Sequence, residues 1–455
     1  ALAASRANAK AVALLGPIIN GRVWIRELLL ASAMEGPQMA PPQGQGWIES
    51  NGLTLSAATL QSLNALDLNK LTATAPNVLL AAQTGAVANL GPRMAALGAD
   101  VEAHDFPGYA ELFQDAHYNA PPMETFDAVA SWLSRLESSA TPGMALGGFR
   151  EPLEEPVLRL PGAIERPIRL EGGLRGTICE PDKPSANPRA VLFLNTGAAP
   201  RSGVGGFSTA ASRALARQGV TSLRFDFAGL GDSPSRDGAM RSHLMEISRE
   251  PDLDAAFDAL HSLGFEQAAV VGVCAGAHHA FHSAARDPRI SKVFAASLVK
   301  FVWHEGDSLT AGRGERARSF GFYLGAVRDP RYWLHTLKGK VSIGKIIPAL
   351  ASRLLKRFRT HWQREEIRKL RDMVAEVSKR GHSVHLFMGL RDTALDEVET
   401  YFGRGGRQFT KFPRMSMTVI PEVDHSLAFR RSREYALKDL FKFLELDSSD
   451  DNSAK

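Results

Sequence analysis

Short apolar runs and longer amphipathic segments alternate along the second half of the chain. The runs have the length and β-branched content of buried strands, and the segments between them have helical periodicity. Strands are predicted at Ala190–Asn195, Thr221–Phe227, Ala268–Val273, Val293–Val299, Val384–Gly389 and Met415–Ile420. Helices are predicted at Thr209–Gln218, Leu253–Leu263, Ala275–Ala285, Leu395–Phe402 and Phe429–Leu444. This alternation is typical of an α/β fold with a mostly parallel, doubly wound sheet.

The first 140 residues repeat only the last part of this plan. Ala1–Leu15 compares with Ala275–Val299, Pro76–Gly85 with Gly381–Gly389, and Ala116-His117-Tyr118 with Val423–Ser426. An amphipathic helix follows in each copy and ends at Trp132-Leu133 or Phe443-Leu444. We therefore expect residues 1–140 to be the C-terminal part of a second unit whose early strands lie upstream of the given sequence. Residues 141–161 are predicted to be a linker, 162–446 a complete domain and 447–455 a polar tail.

The strand predicted at Ala268–Val273 runs directly into Gly272-Val273-Cys274-Ala275-Gly276 and then into a helix. Glycine two residues before and two residues after a central nucleophile marks the strand-turn-helix elbow that exposes a catalytic side chain. Gly272 and Gly276 are the two small positions that such a sharp turn needs. Cys274 is therefore the candidate nucleophile, in a place where most elbows carry serine.

A thiol nucleophile needs a base to hold it ionised and an acid to orient that base. In this topology the chain order is nucleophile, acid, histidine. Asp392 follows the strand predicted at Val384–Gly389, and His425 lies after the next strand, just before the final helix. We predict Asp392 as the acid and His425 as the base. Asp396 and Asp424 remain alternatives for the acid, and a solvated loop histidine is the alternative for His425.

An oxyanion hole needs two backbone N–H groups aimed at the developing negative charge. We expect one from Ala275, directly after the nucleophile, and the other from Ala198 in the loop after the first long strand. In the first copy, the loop Ala86-Val87-Ala88-Asn89 has no carboxylate at the position of Asp392. His117 matches the position of His425 but has no nucleophile in the given sequence, so the first copy is expected to be incomplete.

Taken together, these residues resemble the α/β-hydrolase superfamily over residues 162–446. Arg224–Ser233 is similar to the turn that the superfamily writes D-x-x-G-x-G-x-S, and we expect that segment to be structural. Phe193–Gly197 with Arg201, and Lys300–Trp303, resemble hydrolases associated with bacterial exosortase and exopolysaccharide systems. Gly16–Leu28 resembles a partner hydrolase of those systems.

A cysteine in the elbow changes the chemistry that the resemblance implies. Its acyl-enzyme would be a thioester, which reacts with thiols, amines and alcohols as well as with water. Dienelactone hydrolases and polyhydroxyalkanoate synthases are superfamily members with a cysteine elbow, which this chain resembles at that position. Three functions stay open: hydrolysis of an ester or thioester, acyl transfer to a sugar, lipid or carrier thiol, and a non-catalytic scaffold with a buried structural Cys274.

Composition and charge limit the binding partners and the cellular location that we expect for the chain. The chain has 455 residues, a formal net charge of +5 and 44% hydrophobic residues, which does not argue for nucleic-acid binding. Two cysteines and no signal-peptide pattern favour a reducing, cytoplasmic location. Phe301–Gly381 is helical and basic and is predicted to be a lid, in which Ile346–Trp362 could contact an anionic membrane or an acidic substrate, or simply pack on the core.

No cofactor is expected from the sequence. His278, His279 and His282 follow the elbow without carboxylates or cysteines at metal-ligand spacing, so we predict no metal site. A glycine-rich loop for a dinucleotide or a phosphate is also missing from the sequence.

Overall fold

The computed structural model describes residues 8–35, 48–50, 52–83, 85, 87–112, 120–137, 156–236, 244–245, 247–304, 307 and 362–446. These residues fall into two compact units, with the division at residues 154 and 155. Each unit has its own sheet and its own core.

The first unit contains a small parallel sheet. Its elements are β1 (Ala11–Leu15), α1 (Gly21–Glu35), β2 (Ile48–Ser50), β3 (Leu53–Leu55), α2 (Ala57–Asn64), β4 (Asn77–Ala82), α3 (Leu90–Ala96), β5 (Asp100–Asp105), α4 (Tyr109–Leu112) and α5 (Met123–Glu137). Strands β1, β4 and β5 pair in that order and in parallel, and β2 and β3 form a separate antiparallel pair. The helix predicted before β1, like His117, lies outside the described residues.

The second unit is built on a nine-stranded sheet. Its elements are β6 (Leu158–Leu160), β7 (Ala163–Arg169), β8 (Arg175–Glu180), β9 (Arg189–Phe193), α6 (Phe207–Arg217), β10 (Val220–Phe225), α7 (Glu250–Ser262), β11 (Ala268–Val273), α8 (Ala275–Ala284), β12 (Ile290–Ala296), α9 (Trp362–Lys379), β13 (Ser383–Gly389), α10 (Thr393–Phe402), β14 (Met415–Ile420) and α11 (Arg430–Phe443).

The strand order of this sheet is β14-β13-β12-β11-β9-β10-β8-β7-β6. The six strands from β14 to β10 are mutually parallel, and β8, β7 and β6 continue the sheet antiparallel. The predicted mostly parallel α/β sheet is therefore confirmed. Its first strand, β6, begins before Gly162, where the complete domain was expected to start.

Both faces of the sheet are covered by apolar packing. On β11, Val270 belongs to the core on one side, and Val271 and Val273 belong to the core on the other. A strand buried on both faces reads as a continuous apolar run, which is why the run Ala268–Val273 could be recognised in the sequence. The carboxyl ends of the parallel strands lie at one edge of the sheet, where ligands bind in folds of this type.

The predicted lid falls largely on residues that the structure does not describe, including all of Ile346–Trp362 except the backbone of Trp362. The longest described part is α9, which buries Leu370, Val374 and Val377. Among the described residues, none of the helices has the length and apolar content needed to cross a bilayer.

A buried ion-pair cluster joins the antiparallel strands to the parallel sheet. The Glu165 carboxylate on β7 accepts hydrogen bonds from Arg224 on β10 at 2.6 Å and from Arg213 on α6 at 2.8 and 3.1 Å. The side chains of Glu165 and Arg224 are only 8% and 5% exposed. Removing one member of a buried pair leaves the other charge without compensation, which is costly.

We expect Glu165→Gln to lower the free energy of unfolding of the second unit by about 3 kcal/mol, because Arg224 stays buried without its counter-charge. The matched change Glu180→Gln, which breaks the more exposed Arg166 pair, should cost less than about 1 kcal/mol. Urea unfolding can be followed by thiol labelling of Cys179 in a Cys274→Ala background, since Cys179 is fully buried and burial raises its pKa to about 12. Equal midpoints for the two variants would contradict this view of the cluster.

Candidate active site

The structure places Cys274 in a sharp turn between β11 and α8. Its backbone has φ 57° and ψ −117°, in a region that non-glycine residues rarely adopt. It directly precedes the first residue of α8, so the thiol lies at a helix N-terminus, where a negative charge is stabilised. The side chain is buried, with the residue only 3% exposed. The local geometry is the one expected of a nucleophile elbow.

The two glycines of the elbow are required by close packing. A Cβ on Gly272 would lie 2.2 Å from the carbonyl oxygen of Gly276, and a Cβ on Gly276 would lie 2.4 Å from the carbonyl oxygen of Asn195. Neither contact is possible for a real side chain. The start of α8 therefore packs directly on the end of β11 and on the loop that follows β9.

His425 and Asp392 meet at the same edge of the sheet. Asp392 follows β13 as the N-cap of α10, and its Oδ1 accepts the backbone N–H of Ala394 at 2.9 Å. The same oxygen lies 2.7 Å from Nδ1 of His425. Apart from the Cys274 thiol, Nε2 of His425 has no hydrogen-bond partner among the described residues. The histidine thus lies between the carboxylate and the thiol.

The electrostatics of His425 follow from this position. Burial alone would lower its pKa, but the charges of Asp392 and Cys274 and hydrogen bonds to both raise the pKa well above its ordinary value. Burial would raise the pKa of Asp392, yet the His425 charge and hydrogen bond keep it below its ordinary value. The site therefore favours an imidazolium beside the Asp392 carboxylate, an arrangement that can hold a neighbouring thiol ionised.

Asp424, one of the alternative acids, has a different set of partners. Its carboxylate accepts backbone N–H groups of Ser426, Ala428 and Phe429 at 3.2, 2.8 and 3.2 Å. These bonds shape the loop that carries His425 and begin α11. Leu427 in the same loop has φ 58°, so this turn is strained as well. Asp396, the other alternative, lies one helical turn after Asp392 on α10 and is half-buried.

Ser297 is a site residue that the sequence did not single out. It directly follows β12, where its φ of 48° ends the strand, so the predicted strand Val293–Val299 ends too late. Its buried hydroxyl is close to Asp392, and a hydrogen bond between them helps to lower the pKa of that carboxyl. Neither Ser297 Oγ nor Asp392 Oδ2 has another partner in the described part of the chain. A lone serine after a strand carries no sequence signal for this contact.

The predicted oxyanion donors lie in neighbouring segments. Ala275 is the first residue of α8, where backbone N–H groups have no acceptor within the helix. Ala198 is half-buried in the loop after β9, where Gly197 has φ 56°. The close approach of Gly276 to Asn195 brings that loop against the elbow. Both N–H groups therefore come from segments that border Cys274.

Each of the three histidines of α8 forms a hydrogen bond with a backbone carbonyl group. His278 Nδ1 lies 2.8 Å from Lys300 O, His279 Nε2 lies 2.6 Å from Leu244 O, and His282 Nε2 lies 2.6 Å from Phe301 O. Burial lowers the pKa of all three, to about 3 for His278 and about 4 for His279. They are therefore neutral at physiological pH, and their hydrogen bonds link α8 to the segments that contain Leu244, Lys300 and Phe301. Among the described residues no cluster of ligands suits a metal ion.

Comparison with known proteins gives likenesses of fold at low identity. No protein-family model matches the sequence, and no curated protein matches it either. Among solved structures, the chain is similar to a Pyrococcus furiosus esterase at 16% identity, over 67% of this chain and 98% of the esterase, with a TM-score of 0.38. A putative dienelactone hydrolase from Klebsiella pneumoniae is similar at 13% identity, over 62% and 98% of the two chains, with a TM-score of 0.38.

A Pyrococcus horikoshii acylaminoacyl peptidase is similar at 13% identity, over 62% of this chain and 41% of the peptidase, with a TM-score of 0.40. The interpretation of Cys274, His425 and Asp392 as a candidate site therefore rests on their own geometry.

Asp392→Asn should slow the alkylation of Cys274 by iodoacetamide at about pH 6.5 by at least about tenfold. A neutral amide lowers the raised pKa of His425, so the imidazolium is lost, and an unassisted thiol is only about 1% ionised at that pH. The difference should shrink above about pH 9, where the thiol ionises without help. Adducts on Cys274 can be counted by mass spectrometry.

Asp396→Asn, on the same helix, is the matched control and should leave the alkylation rate within about twofold of the unmodified protein. Equal slowing by the two substitutions, or none by Asp392→Asn, would rule out Asp392 as the acid.

Proposed function

We propose that the second unit is a cysteine-dependent acyl hydrolase acting on an ester or thioester through Cys274, His425 and Asp392. The observation that carries the proposal is the position of His425, which is 2.7 Å from Asp392 and makes its other contact with the thiol of a strained elbow. A merely structural thiol needs neither a strained backbone nor a charged histidine beside it.

The mechanism follows from these positions. The Cys274 thiolate attacks the substrate carbonyl, and the new oxyanion accepts hydrogen bonds from the N–H groups of Ala275 and Ala198. His425 then gives its proton to the leaving alcohol or thiol as the carbon–oxygen or carbon–sulfur bond breaks. Water, deprotonated by His425, attacks the resulting thioester and releases the acid and the Cys274 thiolate. Asp392 keeps the imidazole oriented and stabilises its charge throughout.

Acyl transfer is the second candidate, and the thiol favours it. A thioester acyl-enzyme is reactive toward amines, alcohols and thiols, and Cys274 lies buried rather than open to bulk water. The acceptor would then be a sugar, a lipid or a carrier thiol, as the resemblance to exopolysaccharide-associated hydrolases implies. We propose a reducing compartment for the reaction, because a thiol nucleophile persists there without being oxidised.

We expect p-nitrophenyl acetate to leave an acetyl group on Cys274, detectable by mass spectrometry after rapid acid quenching. Cys274→Ala should lose the adduct and reduce turnover at least about a thousandfold, because the remaining groups cannot form a covalent intermediate. Cys179→Ala is the control. It changes the other buried thiol, which belongs to neither the elbow nor the triad, and should keep both adduct and turnover.

The reaction products distinguish hydrolysis from acyl transfer. Acetate alone supports hydrolysis, whereas faster acetylation of an added sugar or small thiol than of water supports transfer. Full turnover in Cys274→Ala would refute both candidates, and the absence of both an adduct on Cys274 and any turnover would support a non-catalytic scaffold.

A further inference from the structure

Asp226 is a fully buried carboxylate at the end of β10, and it is not part of the triad. Its backbone N–H donates to Arg175 O at 2.9 Å, and its carbonyl oxygen accepts the Ser233 hydroxyl at 2.6 Å, so its position is fixed. A buried carboxylate is tolerated only where donors surround it. The identity of those donors shows what Asp226 holds in place.

Two of the donors are the two ends of the loop that contains Ala198. Asn195, at the start of the loop, donates Nδ2 to Asp226 Oδ1 at 3.0 Å. Arg201, at the end of the loop, donates its backbone N–H to the same oxygen at 2.6 Å and Nη1 to Oδ2 at 2.5 Å. One carboxylate therefore clamps both ends of residues 195–201.

Further bonds hold the loop from inside and from outside. Asn195 Nδ2 also donates to Ala199 O at 3.0 Å, and Asn195 Oδ1 accepts the backbone N–H of Phe227 at 2.9 Å. Arg201 reaches Asp232 Oδ2 at 2.7 Å and Thr177 Oγ1 at 3.3 Å. The guanidinium thus joins residues from three segments, which a single ammonium could not do with the same geometry.

The clamped loop lies against the elbow. It leaves β9, which pairs in parallel with β11, and the N–H of Leu194 donates to Val271 O at 3.0 Å. At the next residue, the carbonyl of Asn195 is so close to Gly276 that no Cβ fits between them. Any movement of the loop would therefore move the Ala198 N–H relative to Cys274.

We propose that Arg201, anchored on the buried carboxylate of Asp226, is a positioning residue that holds the Ala198 N–H in the oxyanion hole. Arg201 does not touch the reacting atoms. It lowers the free-energy barrier for acylation indirectly, by fixing the position of the loop that carries the Ala198 N–H. The inference rests on the proposed function, because it assigns a role within that reaction.

Two reactions of the same thiol can separate positioning from folding. Alkylation by iodoacetamide needs the thiolate but creates no oxyanion, whereas acetylation by p-nitrophenyl acetate passes through one. In Arg201→Lys we expect the acetylation rate of Cys274 to fall about 10- to 100-fold, the range for a displaced oxyanion donor. The alkylation rate should stay within about twofold, because the triad is unchanged. Arg166→Lys, which alters another partly buried arginine–carboxylate pair, should change neither rate.

Equal loss of both rates in Arg201→Lys would overturn the inference, since it would indicate a general structural role, and so would an unchanged acetylation rate. If Arg201→Lys does not fold, Asn195→Ser releases the other end of the loop, and the same selective loss is expected, with equal or absent loss again overturning it. If the protein without substitutions is alkylated at Cys274 but never acetylated, that result would refute the proposed function itself, and the inference with it.

Discussion

The contact between β11 and the start of α8 is the constraint on which the candidate site depends. The chain reverses direction so tightly there that Gly272 and Gly276 meet backbone atoms where a side chain would be. The same contact forces Cys274 into its unusual backbone conformation and brings the loop after β9 against the elbow. A looser turn would leave the thiol on a helix flank, remote from the loops that supply the other groups. The position of every other group of the site is therefore defined relative to this turn.

Three aspartates organise the loops around that turn, and each does so differently. Asp392 holds the ring of His425, Asp424 holds the backbone of the loop that carries His425, and Asp226 holds both ends of the loop that carries Ala198. All three lie beyond the carboxyl ends of strands, where the sheet leaves backbone N–H groups of several loops close together. A carboxylate can accept hydrogen bonds from several of these N–H groups at once, and it can therefore fix the conformation of a loop that has no regular secondary structure.

Much of the second unit could be predicted from the sequence, because its central strands are buried on both faces. The run Ala268–Val273 reads as continuous apolar sequence, and the glycines after it mark the turn. The bond between His425 and Asp392 could be expected only from the order of residues along the chain, and Asp396 and Asp424 satisfy the same order. Contacts made by single polar residues from distant segments could not be predicted. Ser297 carries no periodic or glycine signal.

Six non-glycine residues of the described chain have positive φ, and three of them lie at the site. Cys274 is the candidate nucleophile itself, Ser297 lies beside Asp392, and Leu427 lies in the loop that carries His425. Such conformations cost of order 1–3 kcal/mol each, so they persist because the surrounding packing enforces them. The protein is consequently less stable than its fold would permit, and that deficit is concentrated where the chemistry is proposed. Substitutions that relax these three positions would therefore raise stability at the expense of the geometry of the site.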